Sequence, residues 1–312
     1  MNDTIAVVGG GISGLLLART LRERGAKVVV LEKSRGLGGR LATKRVGEAV
    51  FDQGAQYFTA KTNRFMTLVE DWQRHGLAGS WPEASAHRWV GRPSMNSIGK
   101  YLAEGLEVKR EAKVLGVRRV DKMWEVEIEN QPILRVDRLA LTAPVPQSLA
   151  LLKTGNVELP ANLAAGLGAL RYHPCLALLV TLSGASLVPT EGLALSQGPV
   201  RWIADNVKKG ISPAVAAAVT VHLSPAFAAE HYAKTELELF PMIEPIIAQW
   251  LGAPVVNVAL HRWKFSEPIT VFPDPCVWLE ELSLGFAGDA FGGARVEGAA
   301  LSGWALADKM GA

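Results

Sequence analysis

The hydrophobic pattern opens on a short apolar run, Ile5 to Val8, of the kind a buried parallel strand needs. Leu15, Leu16, Leu17, Ala18 and Leu21 then recur at helical spacing, and a second apolar run, Val28 to Leu31, ends on the acid Glu32. This predicts a β-α-β unit. Phe65, Met66, Leu68, Val69 and Trp72 mark an amphipathic helix from Asn63 to His75, capped by Thr62 or Asn63. From Leu106 to Leu141 apolar residues alternate with charged ones, which predicts an antiparallel meander with one wet face. Leu139 to Leu141 then reads as a buried strand, and Cys175 to Leu182 and Ala214 to Leu223 as further strands. Ser224-Pro225 sets a helix start, and Glu236 to Trp250 reads as a longer amphipathic helix. A last strand ends at Gly288-Asp289, and a helix runs from near Val296 to the terminus.

The turn between the first strand and helix carries Gly9-x-Gly11-x-x-Gly14. Gly9 suits the tight turn, Gly11 lets backbone approach a pyrophosphate, and Gly14 lets helix and strand pack closely. Ile12 and Ser13 begin the helix, whose unpaired N–H groups and positive dipole face the phosphates. Glu32 stands where a carboxylate accepts the hydroxyls of an adenosine ribose, with Lys33 next to it. Just beyond, Gly38-Gly39-Arg40 supplies a second glycine loop and a cation able to grip a pyrophosphate with two N–H groups. Strand, glycines, helix and acid in register predict a bound dinucleotide.

Composition narrows the class. The 312 residues carry 33 basic and 30 acidic side chains in mixed order, so no nucleic-acid stripe is expected. Cys175 and Cys276 form no CxxC, which argues against a disulfide reductase, and the histidines form no HxxxH or HExxH metal pair. No apolar run spans a membrane, and the first residues lack a signal-peptide pattern, so a cytoplasmic protein is expected.

Ser34-Arg35-Gly36-Leu37-Gly38-Gly39-Arg40 resembles the GxGGR segment of amine-oxidase-like FAD enzymes. Asp52-Gln53-Gly54-Ala55-Gln56-Tyr57-Phe58-Thr59, Arg88-Trp89-Val90-Gly91 with Pro93 and Met95, Tyr172 to Ala177, His261-Arg262-Trp263 with Pro268, and Gly288-Asp289 with Arg295 to Ala299 resemble segments of the bacterial renalases within that group. The link from Trp81 to Arg88 is shorter than in those proteins. The resemblance implies an α/β fold: a Rossmann-type FAD-binding domain with an interleaved α+β substrate domain. The FAD-binding domain is expected to be discontinuous, over residues 1–60, 95–145 and 256–312, with the substrate domain over 61–94 and 146–255.

The implied activity is oxidation of 2- or 6-dihydro isomers of β-NAD(P)H to β-NAD(P)+ by hydride transfer to the N5 of non-covalent FAD, with O2 reoxidation releasing H2O2. The flavin carries such chemistry, so no catalytic side chain is expected. Neither cysteine lies in the carboxy-terminal motif where some amine oxidases attach flavin. The expected FAD contacts are Gly9, Gly11, Ile12, Ser13, Gly14, Glu32, Lys33, Gly39, Arg40, Gln56, Tyr57, Val114 (through its backbone), Asp289 (on a ribityl hydroxyl) and Val296. The expected substrate contacts are Tyr57, Phe58, Thr59, Ala177 and Arg295. His173 and Cys175 are read as structural.

Two other functions fit the same cofactor site. An amine oxidase would need an aromatic cage and a flavin-linked lysine; the four tyrosines count against the cage, and Lys264 reads as solvent-facing. A non-catalytic flavin-binding redox module would need no open pocket.

Overall fold

The structure is a computed structural model and describes residues 3–81 and 87–311; most of the short link between Trp81 and Arg88 lies outside them. A six-stranded sheet runs in the order Val277–Leu279, Leu284–Phe286, Arg138–Leu141, Thr4–Val8, Lys27–Glu32, Glu107–Arg110. Its strands are parallel except the edge strand Val277–Leu279. Because side chains alternate along a strand, each apolar run feeds two cores. Ile5, Val7, Val28 and Val30 face the helices Ile12–Glu23, Asn63–Arg74, Asn96–Leu102 and Val296–Met310. Ala6, Val8, Val29 and Leu31 face an antiparallel meander of strands Val114–Val120, Met123–Ile128 and Leu134–Val136; the first strand expected in that meander, Glu107–Arg110, instead pairs parallel with Lys27–Glu32. The continuous apolar runs of the first strands are thus the signature of a doubly covered parallel sheet.

A second, antiparallel sheet has the order Leu193–Ala194, Val200–Asp205, Ala217–Leu223, Tyr172–Leu182, Val255–Pro268. The helix Glu236–Leu251 buries Leu239, Ile243 and Ile247 on one face of it. That helix runs through Pro241 and Pro245 and starts with a Thr235/Glu238 capping box. Pro225 opens a short helix as expected, although Ser224 makes no side-chain cap. Thr62 does cap its helix, accepting from the Phe65 N–H. One expectation is corrected here. Residues 256–268, placed by sequence with the FAD-binding segments, lie in the long strand that pairs along Tyr172–Leu182. It pairs on one side only, as the edge strand of the second sheet, and its half-buried and exposed positions fit an edge.

The two layers meet at a buried ion pair. Asp52, which ends the hairpin strand Ala49–Asp52, accepts from Lys209 Nζ at 2.6 Å, and both side chains are 0% exposed. The other carboxylate oxygen accepts from Thr43 Oγ1 (2.7 Å) and the Met95 N–H (3.0 Å). The Asp52 backbone bonds to Asn206 and Thr220 of the second sheet's side. Burial drives the Lys209 pKa below its ordinary value against the pull of Asp52. Lys209→Met leaves Asp52 buried without its cation and is expected to cost about 3–5 kcal/mol in urea unfolding. Asp52→Asn combined with Lys209→Met should recover much of that loss, because the stranded charge is removed with its partner.

Candidate functional site

The crossing of the first strand and helix is built on contact distances only glycine allows. Gly9 has φ +117° and donates to the Leu31 carbonyl at 2.9 Å. A Cβ on Gly14 would fall 2.1 Å from the Gly9 oxygen. At Gly11 a Cβ would meet no protein atom within 4 Å, so open space lies over this helix start. Ser13 Oγ is buried there with no hydrogen-bond partner, and Ile12 packs its side chain into the core below. The second glycine loop leans on the first: the Gly38 N–H donates to the Gly10 carbonyl (2.8 Å), and Gly39 sits against Gly11.

Glu32 is 7% exposed. Its carboxylate accepts from the N–H groups of Gly10 (2.8 Å) and Ser34 (2.7 Å), which aims it across the mouth of the glycine turn. Lys33 is exposed and makes no side-chain hydrogen bond among the described residues. The Ala112 N–H donates to the Glu32 carbonyl at 2.9 Å, which brings Val114, at the start of its strand, to the same end of the sheet.

Arg40 and Asp289, from opposite ends of the chain, hold each other through two hydrogen bonds of 2.5 and 2.7 Å. Burial works against the guanidinium's charge, but Asp289 more than offsets this and raises its pKa. The Arg40 carbonyl accepts from the Ala55 N–H (2.8 Å), where any Cβ on Gly54 would collide with it. Gln56 is buried beside this turn, its Nε2 donating to the carbonyls of Asp52 and Gly54. Gln53 Oε1 and Gln56 Oε1 are buried without partners. The Gln53 carbonyl accepts from both His222 Nε2 (3.1 Å) and Trp263 Nε1 (2.9 Å). Desolvation lowers the pKa of His222 to about 4, and that of neighbouring His261 to about 4 as well. Both imidazoles are neutral at pH 7, which assigns the Nε2–H tautomer to His222.

Arg295 lies at the N-cap of the last helix, exposed and with no ion pair among the described residues. Glu297, a conceivable partner, is instead clamped to the N–H groups of Lys61 and Thr62 and the Thr62 hydroxyl. Val296 starts the helix, and Gly303 on it packs against the Ser13 backbone, fixing the last helix to the phosphate-side helix.

Two of the expected substrate contacts have buried side chains. Phe58 is 3% exposed and makes edge-to-face contacts with Phe65 and Trp72 in the core. Phe58 pairs with Trp89 through two backbone hydrogen bonds, so strand alternation sends Tyr57 and Phe58 to opposite faces. Ala177 is 0% exposed, packed with Phe51, Leu179 and Ala218 beneath the hairpin. Thr59 is half-buried and makes no side-chain hydrogen bond among the described residues.

Tyr57 joins Trp81 and Trp202 with ring centroids 5.6–6.0 Å apart, and the Arg88 guanidinium lies 4.5 Å over the Tyr57 ring. The tyrosine count therefore misjudged the aromatic content, because tryptophans supply it. Lys264 is exposed beside Phe265, as read from the alternation. Burial pushes the Cys175 thiol up to about 12, in keeping with a structural role.

A family profile described as NAD(P)-binding Rossmann-like domain matches residues 7–72. Over 68 residues the chain is 40% identical to human amine oxidase [flavin-containing] B, and over 95 residues 33% identical to putrescine oxidase of Kocuria rosea. These matches cover 22% and 28% of this chain but only 13% and 20% of the relatives. The whole architecture is matched by solved structures. A provisionally assigned protoporphyrinogen oxidase from Exiguobacterium sp. 255-15 superposes with a TM-score of 0.79 at 13% identity, covering 100% of this chain and 99% of that one. Cyclohexylamine oxidase from Brevibacterium oxydans IH-35A gives 0.71 at 11% identity, covering 100% and 99%. The fold is that of the amine-oxidase-like flavoenzymes. A fatty acid isomerase from P. acnes shares it as well, with a TM-score of 0.72 at 12% identity, covering 99% of this chain and 98% of that one. The fold alone therefore does not choose the reaction.

Sequence reasoning missed Lys209, His222, Trp81, Trp202 and Arg88 as members of the site's surroundings. Only Arg88 lay in a motif; the others sit in strands and loops without local signature.

Gly11→Ala and Gly14→Ala should separate two roles. The first adds a methyl to open space and should leave apo stability within about 1 kcal/mol while reducing dinucleotide retention. The second drives a methyl into the Gly9 carbonyl and should prevent stable folding. Thermal melts and cofactor content of the two purified variants check this.

The two neutral histidines also set a pH dependence. Their folded pKa of about 4 lies below the ordinary 6.5, so the unfolded chain binds protons more readily in that window. Stability should be whole above about 6.5 and fall as the pH drops towards 4. His222→Gln, which keeps an N–H for the Gln53 carbonyl, should flatten the decline in urea midpoint between pH 7 and 5.

Proposed function

We propose that this chain is a renalase-like, FAD-dependent oxidoreductase that oxidises 2- or 6-dihydro isomers of NAD(P)H to β-NAD(P)+. Non-covalent FAD fits the residues present: open space over Gly11, an unpartnered buried hydroxyl at Ser13, a ribose-side carboxylate at Glu32, and unpartnered amide oxygens at Gln53 and Gln56. Gly39, Arg40 and Asp289 would complete the phosphate and ribityl side, and the backbone at Val114 and Val296 the two ends. Bound FAD would supply two-electron acceptance from the substrate and return of those electrons to O2. The protein's own work is then to orient the donor ring and exclude water, with no acid or base required.

The balance of free charge around the site carries the choice of substrate. Its carboxylates are already engaged: Asp52 with Lys209, Asp289 with Arg40, Glu297 with the 61–62 backbone, and Glu267 with Arg201. Arg88 and Arg295 have no carboxylate partner among the described residues. Glu32 and Glu297 keep their charge but are turned onto backbone N–H groups, whereas the phosphates of a dinucleotide find two guanidiniums without carboxylate partners. The amine-oxidase reading draws on the sequence likeness to putrescine oxidase and on the buried Lys209, but that lysine is committed to Asp52.

Anaerobic mixing tests this. Flavin absorbance at the long-wavelength band should bleach on addition of 2- or 6-dihydro-NAD(P) and remain unchanged with putrescine or benzylamine. Arg295→Ala should keep full flavin content and weaken dinucleotide binding about tenfold, the equivalent of one charge-assisted contact. Bleaching by an amine and by no dihydronicotinamide would replace this function with an amine oxidase.

A further inference from the structure

Tyr57, Trp81, Trp202 and Arg88 come together where the turn after Asp52, the strand Trp89–Gly91 and the strand Val200–Asp205 meet. The backbone explains the assembly. Phe58 pairs with Trp89, so Tyr57 projects to the face on which Val90 is buried, opposite the Phe58 core. The Trp81 N–H donates to the Arg88 carbonyl at 2.8 Å, and its indole N–H to Thr190 O at 2.7 Å, so Trp81 is fixed at both ends. Arg88 stacks on Tyr57 at 4.5 Å and lies 5.4 Å over Trp202, with Nη1 donating to the Glu191 carbonyl at 3.1 Å.

Two features of this box lack the partner their chemistry calls for. Arg88 carries five N–H groups and a full charge, yet among the described residues it reaches one carbonyl and no carboxylate. Trp202 is 8% exposed, and its Nε1–H is buried with no acceptor. Trp72 and Trp89 also bury an indole N–H without an acceptor, but the Trp202 ring is the one lying within reach of the Arg88 guanidinium. Of the nearby cations, Lys209 is paired with Asp52 and Arg201 with Glu267, while Arg92 donates to the Lys209 carbonyl. Three mutually packed rings, a guanidinium lying over Tyr57 and Trp202 with no carboxylate among the described residues, and one orphan donor thus share one cluster.

We propose that this box is a binding subsite for a planar ring bearing an oxyanion, and that Arg88 moves from the ring face onto that anion when the ligand stacks. Aromatic faces accept the ring, the guanidinium and the Trp202 N–H hold the oxygens, and a cationic ring of the same shape is repelled. The box rests on and deepens the function proposed above, since a reduced nicotinamide nucleotide joins a neutral planar ring to a phosphate through its ribose, but it binds through groups that need no flavin chemistry.

The test uses the holoprotein and two matched ligand pairs, read by tryptophan fluorescence and by perturbation of the flavin spectrum. Benzoate and benzylamine share a ring and differ in charge; reduced nicotinamide mononucleotide and its riboside share a ring and differ by a phosphate. The wild type should prefer the anion of at least one pair by about tenfold or more. Arg88→Met should erase that preference without changing flavin content, Arg88→Lys should restore part of it, and Trp202→Phe should weaken the anion several-fold while keeping the stack. A response confined to the benzoate pair identifies a carboxylate ligand, and one confined to the nucleotide pair a phosphate. Equal affinities within both pairs, or a preference that survives Arg88→Met and Trp202→Phe, would overturn the subsite. If no dihydronicotinamide reduces the flavin while Arg88→Met still erases the benzoate preference, the substrate assignment fails and the subsite stands.

Discussion

The Asp52–Lys209 pair is the constraint on which the arrangement of the site depends. Two fully buried charges are tolerated only when every oxygen and proton finds a partner, and here the hairpin, the Met95 turn and the Asn206–Thr220 region of the second sheet all contribute. The turn that follows Asp52 carries Gln53, Gln56 and Tyr57, so the pair sets the height at which that turn crosses between the two layers. His222 and Trp263 then grip the Gln53 carbonyl from the second sheet. A segment of six residues is thus held by the hairpin, the Met95 turn and the second sheet, which pre-organises the turn.

The same economy of charge runs through the rest of the site. Arg40 and Asp289 come from segments about 250 residues apart in the chain and close on each other across the sheet's carboxyl end. Each is half of a pair, so neither acts as a lone ligand group, and a substitution at either perturbs the other. Glu32, by contrast, is fed by backbone N–H groups alone, which orient it without neutralising it. Against this background of matched charges, Arg88 and Arg295 have no carboxylate partner among the described residues, and the proposed anion preference rests on them.

Much of the framework was legible in the chain. The apolar runs, the glycine spacing and the terminal Glu32 determine a β-α-β unit through local sterics and period, because Gly14 touches Gly9 and Glu32 touches Gly10 within thirty residues. The later strands of the meander and the helix capped by Thr62 followed from period and cap chemistry in the same way, whereas Glu107–Arg110 shares that alternation and pairs parallel in the first sheet. Other features belong to the tertiary structure. Phe58 and Tyr57 are adjacent and both aromatic, and only the pairing of Phe58 with Trp89 decides which one enters the core. Ala177 is closed off by a hairpin more than a hundred residues earlier, and the strand Val255–Pro268 joined its sheet through a partner eighty residues before it. Lys209 follows another lysine, Lys208, with no local mark that it is buried; its burial depends on Asp52, 157 residues away. Local spacing determines what a segment can become, but long-range pairing decides which of its side chains meet, because strand register and buried charge are settled by partners that lie far along the chain.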